Sequence, residues 1–329
     1  MFLTINIRSP DTVGTMKLRE FNAREFIQTT MEEIRNIVGD SEVLAACSGG
    51  VDSTTAAVLV ARALGRPIKA VVLDDGLRRE GEPRSAVHTL KRLGLNAFLV
   101  NVSEEVLGAL KGIGDPEEKR IVFREVFYTI LGRLLKEEGA EFLVQGTIAA
   151  DVIETVKGIK TQHNVLVQIG IDTTKYGFKL LEPLRSLYKW QVREVARELG
   201  LPEEIVNRMP FPGPGLAIRV LGEVTQERLE IVRKATRIVE EETRNIEAFQ
   251  KFAVLLNDRA TGVVEGRRTY GNIIVVRVVE SRDALTARAV ELPFQVLRRI
   301  AYRITQEIPQ ISRVLYDITD KPPATIEYE

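Results

Sequence analysis

The chain has 329 residues, with Lys+Arg and Asp+Glu both at 46, 44% hydrophobic and 28% charged residues. That is the composition of an ordinary globular protein of about two domains, and the balanced charge argues for neither a nucleic-acid nor an anionic-membrane partner. One cysteine (Cys47) excludes an internal disulfide framework and a cysteine-cluster zinc site, and two histidines (His88 and His163) leave little room for a histidine-based triad or a multi-histidine metal site. No apolar run approaches the ~20 residues of a membrane span. The opening Phe2–Ile7 run is too short for a signal peptide, so a cytoplasmic location is expected. Residues 1–19 read as an N-terminal extension, with Met16 as an alternative start.

Phe21 to Val38 has helical apolar spacing and Gly39 as its stop. Val43–Cys47 is a buried strand running into Ser48-Gly49-Gly50-Val51-Asp52-Ser53, with a helix over Thr54–Leu64. A second buried strand, Ile68 to Leu73, ends in Asp74-Asp75-Gly76. Helix Glu82–Leu93, strand Asn96–Val102, helix Glu117–Glu138 and strand Glu141–Gln145 follow, the last leading into Gly146-Thr147. Strands alternating with helices predict an α/β fold with a doubly wound parallel sheet, its ligands at the carboxyl ends of the strands. A polar segment around residues 151–164 reads as a lid that would shield a reactive intermediate from water. The Phe211-Pro-Gly-Pro-Gly-Leu216 run is incompatible with a helix and marks the boundary between units 20–210 and 211–329. Beyond it, helix Thr225–Thr243, strand Ile273–Val279, helix Leu292–Glu307 and strand Ser312–Ile318 make a smaller α+β unit. The end of the chain, Lys321 to Glu329, combines stiff prolines with apolar residues and reads as a docked tail.

The Ser48–Ser53 run carries the most chemistry. Its two glycines permit a tight turn with exposed N–H groups, the following helix N-terminus adds donors and partial positive charge, and two hydroxyls flank it. Asp52 beside such an anion hole makes sense when a divalent cation sits between the two, which points to Mg²⁺ and a polyphosphate. No Gly-Lys-Ser/Thr ends the loop, so it is not a Walker A motif. Asp74 and Asp75 are candidates for the nucleotide ribose or the metal. Lys119 and Arg120, opening the long helix, are candidates for a phosphate clamp. His163 is a candidate acid–base group; His88 reads as surface and Cys47 as a small buried hydrophobe.

The Ser48–Ser53 loop resembles that of the ATP pyrophosphatases. Together with Asp74–Leu77, Asp115-Pro116-Glu117 with Lys119-Arg120, Gln145–Thr147 with Asp151 and Glu154, Glu182–Leu184, Arg208–Leu216, Arg313–Thr319 and Lys321–Glu327, it resembles the ATP-pyrophosphatase subunit of the GMP synthetase family, in its two-subunit archaeal form. The resemblance spans residues 20–329. It implies an ATP-pyrophosphatase (adenine nucleotide alpha-hydrolase-like) fold and a ligase that adenylylates XMP with ATP and Mg²⁺, then aminates it to GMP. Ser48, Gly49, Gly50, Val51, Asp52, Ser53, Leu73, Asp74, Gly146 and Thr147 would hold the nucleotide, with Asp52 on the metal. Asp151, Glu154, Lys160, Thr161 and His163 would serve catalysis. Lys119, Arg120, Arg313, Lys321, Ile326 and Glu327 would bind XMP. It also implies a homodimer through the C-terminal unit and ammonia from a separate glutamine amidotransferase subunit, for which this chain has no room before Ser48.

The lid departs from the family pattern. Gln162 stands where a first histidine is usual, a Gly-Gly-Leu-Pro run is missing, and Asp75 and Arg78 replace an Asn and a Leu. These changes leave two competing readings: a paralogue adenylylating another purine-like acceptor, and a nucleotide-binding regulator without turnover.

Overall fold

A computed structural model describes residues 21–156, 177–281 and 284–329, with the side chains of 153–156 left aside. The first helix, α1 (Ala23–Val38), starts where the Asn22 side chain accepts from the N–H groups of Arg24 and Glu25 at 3.1 and 3.3 Å. Then follow β1 (Val43–Ala46), α2 (Val51–Leu64), β2 (Lys69–Asp74), α3 (Glu82–Arg92), β3 (Asn96–Asn101), α4 (Ser103–Leu110), α5 (Pro116–Glu137), β4 (Phe142–Val144), α6 (Ala149–Val156), β5 (Lys179–Leu181), α7 (Lys189–Glu198) and α8 (Glu203–Val206). The long α5 is opened by Asp115, which caps it, and by Pro116 in its first turn.

β1 to β5 form one parallel sheet in the order β3-β2-β1-β4-β5. The order reverses between β1 and β4, which makes the carboxyl ends of those two strands the switch-point crevice. The strands alternate their burial between two faces. Val43, Ala45, Ala70, Val72, Phe142 and Val144 pack under α1, α2, α3 and α7. Leu44, Val71 and Leu143 face the opposite way, into a core with α4 and α5.

That second core does not stop at residue 211. It runs on through Leu216, Ala217 and Val220 of a 3-10 turn (Gly215–Arg219) and its exit, Leu229, Val232 and Ile238 of α9 (Gln226–Glu242), and apolar residues of a second sheet. The second sheet is built on a hairpin, β6 (Gln250–Val264) and β7 (Arg267–Glu280), turned at Glu265-Gly266 with φ of 49° and 74°. β8 (Arg288–Ala289) and β9 (Ile311–Tyr316) both pair with β7, β9 in parallel, and α10 (Phe294–Glu307) packs beside α9.

Sequence patterning places no strand before Ile273 in this unit, no helix at α4 or α7 and no strand at β5. β6 escapes because its outer half, Asn257 to Val264, is largely exposed and lacks a clean alternation. The lid residues Lys160, Thr161, Gln162 and His163, and the N-terminal extension, lie outside the described residues.

Candidate functional site

The Ser48–Ser53 loop joins β1 to α2 at the switch point. Gly49 has φ of 78°, and a Cβ there would lie 2.7 Å from Arg208 Nη1 and 2.8 Å from the Ala86 Cβ, so only glycine fits. The loop folds on its own hydroxyls. Ser48 N–H donates to Ser53 Oγ (3.2 Å), Gly50 N–H to Ser48 Oγ (3.4 Å), and Ser53 Oγ to the Gly50 carbonyl (3.3 Å). No side chain caps α2, whose N-cap is Gly50. Its first N–H groups are therefore left to an external acceptor, the arrangement that binds a phosphate.

Asp52 is half-buried. Its Oδ2 accepts from Lys189 Nζ at 2.6 Å, while its Oδ1 is buried without any hydrogen-bond partner. A carboxylate oxygen left bare beside an anion hole suits a hard divalent cation, which takes one or two carboxylates and completes its shell with phosphate oxygens and water. Among the described residues no cluster of three or more acidic, histidine or cysteine side chains competes for that role.

Strand β4 closes the other wall. A Cβ on Gly146 would come within 2.5 Å of Ser53 N and 2.6 Å of the Asp52 carbonyl carbon, so the strand end lies directly on the first turn of α2. Thr147, fully buried, donates to Glu182 Oε1 at 2.5 Å, and Glu182 also pairs with Arg185. Asp151 accepts from Ile148 N–H at 3.0 Å, so its carboxylate caps the start of α6. Leu73 and Asp74 end β2 half-exposed, and Asp74 accepts from Gly76 N–H. Asp75 is a different matter: 1% exposed, it holds Leu77 N–H at 2.9 Å and pairs with Arg78. It locks the turn after β2 and is not presented to a nucleotide or metal. Cys47 is 4% exposed, and burial pushes its thiol up to about 12.

A second constellation forms where the tail returns. Glu327 makes two bonds to buried Arg219, 2.9 Å to Nε and 2.8 Å to Nη2, and accepts from Gln250 Nε2 at 3.1 Å. The Arg219 guanidinium lies between the rings of Phe211 (4.9 Å) and Phe252 (4.0 Å). Ile326 is buried with Phe252, Val254 and Val275. Tyr328 hydroxyl donates to Asp317 at 2.8 Å, and Asp317 also meets Arg277 at 3.2 Å. The docked tail expected from sequence is thus observed.

Lys119, a candidate from sequence for a phosphate clamp, is fully buried. Its ammonium donates to the Val220 carbonyl at 2.7 Å and pairs with Glu329 at 2.5 Å. Desolvation lowers the lysine and raises Glu329 relative to their ordinary values. With every short contact internal, Lys119 anchors the tail and offers nothing to a ligand. Arg120, half-buried, donates to the backbone carbonyl of Glu329. Lys321 holds the Ala284 carbonyl (2.7 Å), and exposed Arg313 sits on β9 opposite Ile273, on the sheet face that carries Val275 and the tail.

The two constellations are connected through Arg208-Met209-Pro210-Phe211. Arg208 donates to the Gly49 carbonyl at 2.6 Å and pairs with Glu82 at 2.5 Å; the Pro210 carbonyl accepts from Gln250, which holds Glu327. Sequence reasoning missed Lys189, Arg208, Gln250 and Arg219 as site residues. Lys189 had one readable signal: a cation in the first turn of a helix opposes the helix dipole and needs an anion to offset it.

The family descriptions "NAD synthase" and "GMP synthase C terminal domain" match residues 23–216 and 218–328. The chain is 52% identical to a glutamine-hydrolyzing GMP synthase subunit of Methanopyrus kandleri, over 94% of this chain and all of that protein. It is 53% identical to the corresponding protein of Thermococcus kodakarensis (92% of this chain, 99% of that one). For the Archaeoglobus fulgidus counterpart the identity is 52%, over 94% and 100%.

Proposed function

Since the chain belongs to the glutamine-hydrolyzing GMP synthase family, on the side of its synthetase subunits, we propose that it is the ATP-dependent, XMP-aminating half of a two-subunit enzyme. ATP binds with its phosphates on the Ser48–Ser53 loop and the N-terminus of α2. XMP binds where the tail, Arg120 and the second sheet meet. The xanthine O2 attacks the α-phosphorus, pyrophosphate leaves, and ammonia displaces AMP from the adenylylated purine to give GMP. A separate glutamine amidotransferase supplies the ammonia, and the C-terminal unit, residues 211–329, forms a homodimer.

The observation that carries this reading is the direct link between the two constellations. Arg208 grips the loop at Gly49, and two residues on Pro210 grips Gln250 and, through it, Glu327. The adenylyl donor, ATP, and the attacking acceptor, XMP, are thereby held in one fixed relation, which is the main service an enzyme gives a two-substrate displacement. Asp52 would hold Mg²⁺ through its bare Oδ1, and the ion would neutralise charge on the departing pyrophosphate. Lys189 holds the other oxygen of Asp52 and fixes the carboxylate rotamer. Nothing in the relatives favours a different acceptor or a regulator without turnover.

The test is pyrophosphate release with ATP, Mg²⁺ and ammonium, with and without XMP, following GMP by chromatography. XMP-dependent pyrophosphate matched by GMP is the expected result. ATP binding with no XMP response would reject the acceptor.

A further inference from the structure

Glu82, in the first turn of α3, is a buried carboxylate, 9% exposed. Its Oε2 accepts from the Arg79 backbone N–H at 3.0 Å, and its Oε1 from Arg208 Nη2 at 2.5 Å and Arg79 Nη1 at 3.4 Å. Both oxygens are taken up by protein donors, as a buried charge requires, and what matters is where those donors lead. Arg79 reaches Glu240 on α9 at 2.8 Å and lies over the Phe211 ring at 4.4 Å, the ring that also flanks Arg219. Arg208 donates through Nη1 to the Gly49 carbonyl at 2.6 Å, so one guanidinium spans Glu82 and the phosphate loop. Ala86, one turn beyond Glu82 on the same face of α3, lies against that glycine: a Cβ on Gly49 would meet its Cβ at 2.8 Å. This face of α3 is the back wall of the loop.

The consequence falls on the Gly49–Gly50 peptide. In a trans peptide the C=O and N–H point in opposite directions. A Gly49 carbonyl drawn out to Arg208 therefore turns the Gly50 N–H inward. That N–H makes only a long contact, 3.4 Å to Ser48 Oγ, which a phosphate oxygen can displace. A peptide between two glycines can also flip. Gly50 has φ of −73°, and with no Cβ at either residue the reversed plane, with positive φ at Gly50, meets little steric resistance. The flip would aim a carbonyl oxygen at the anion and withdraw a donor.

We propose that Glu82 is a positioning residue for the reaction: it holds the Arg208 guanidinium, which pins the Gly49 carbonyl outward and keeps the Gly50 N–H facing the ATP polyphosphate. The inference rests on the reading of the Ser48–Ser53 loop as the phosphate site, and adds what fixes its donors before the nucleotide arrives. Simple charge and this peptide lock predict opposite signs. Removing the negative charge of Glu82 near an anion site would by itself tighten the anion, whereas loosening Arg208 would weaken it.

Calorimetric titrations of the full chain, wild type, Glu82→Gln, Arg208→Lys and Arg208→Met, would use pyrophosphate with Mg²⁺, a non-hydrolysable ATP analogue with Mg²⁺, and adenosine, with thermal unfolding of each. Glu82→Gln is expected to weaken pyrophosphate and the ATP analogue about 3- to 10-fold, the difference between a charge-assisted and a neutral hydrogen bond. In pyrophosphate release it should raise the KM for ATP more than it lowers kcat. Adenosine, which carries no phosphate, should bind as before. Arg208→Met should lose about 10- to 100-fold in pyrophosphate affinity, and Arg208→Lys, which keeps a donor for the carbonyl, should recover part of it. The proposal is overturned if Glu82→Gln binds pyrophosphate as tightly as wild type or more tightly. It is also overturned if adenosine weakens by the same factor, the mark of a generally loosened fold. A wild type that binds neither pyrophosphate nor the ATP analogue would reject the phosphate reading of the loop, and the lock with it.

Discussion

Replacing Gly146 by alanine tests the central claim about the site, that β4 and the phosphate loop are built in contact. A Cβ at this position would meet Ser53 N at 2.5 Å, the Asp52 carbonyl carbon at 2.6 Å and Ser53 Cα at 2.7 Å. Comfortable separations are about 3.5–4.0 Å, so the two walls must part by roughly 1 Å. All three atoms are backbone, and no rotamer change relieves them. Gly146 does not need a positive φ, so the effect is steric and not conformational. Overpacking of this kind costs about 1–3 kcal/mol, and each kcal/mol lowers the Tm by about 2–4 °C in a domain of this order. A displacement of about 1 Å at a reacting site can cost about 100-fold in rate. Gly146→Ala should therefore lose several degrees of Tm and most XMP-dependent pyrophosphate release. Gly108→Ala, inside α4 with nothing within 4 Å of its Cβ, is the control: it should leave turnover unchanged and hold or slightly raise the Tm, because alanine is the better helix former. Wild-type Tm and turnover in Gly146→Ala would refute the contact.

Three further outcomes are expected. Asp52→Ala should abolish pyrophosphate release and Mg²⁺ binding while the chain stays folded, read by calorimetry with Mg²⁺; normal turnover would remove Asp52 from the metal. Glu327→Ala leaves Arg219 buried between Phe211 and Phe252 with no anion; it should cost about 3–5 kcal/mol in denaturant unfolding, and a loss under about 1 kcal/mol would show the pair is dispensable. The Cys47 thiol, pushed up to about 12 by burial from an ordinary 9.0, should resist a thiol reagent at a pH of about 8 until denaturant is added. Between pH 9.0 and about 12 the unfolded chain releases this proton and the folded one keeps it, so this thiol's contribution to stability falls across that window. Rapid labelling of the native protein would contradict its burial.

Much of the first unit was legible because its signals are local. Strand-to-helix alternation, the glycines of the Ser48 loop and the carboxyl-end placement of Asp74 and Gly146 depend on residues a few positions apart, whose backbone preferences and apolar period act before any tertiary contact. The docked tail was legible for a similar reason, since prolines and buried-type residues at a chain end have little use in solvent. What the tertiary structure decided is which charges meet. Lys119 and Arg120 look alike in sequence, yet the helical turn sends one into the core against Glu329 and leaves the other half-exposed. Asp74 and Asp75 are neighbours, but alternation along a strand end puts one at the crevice and the other on Arg78. Lys189 reaches Asp52 from 137 positions away, and Arg219 reaches Glu327 across 108. Pairings of that kind depend on how sheets and helices stack in three dimensions, where side-chain reach and burial select partners that no local pattern along the chain encodes.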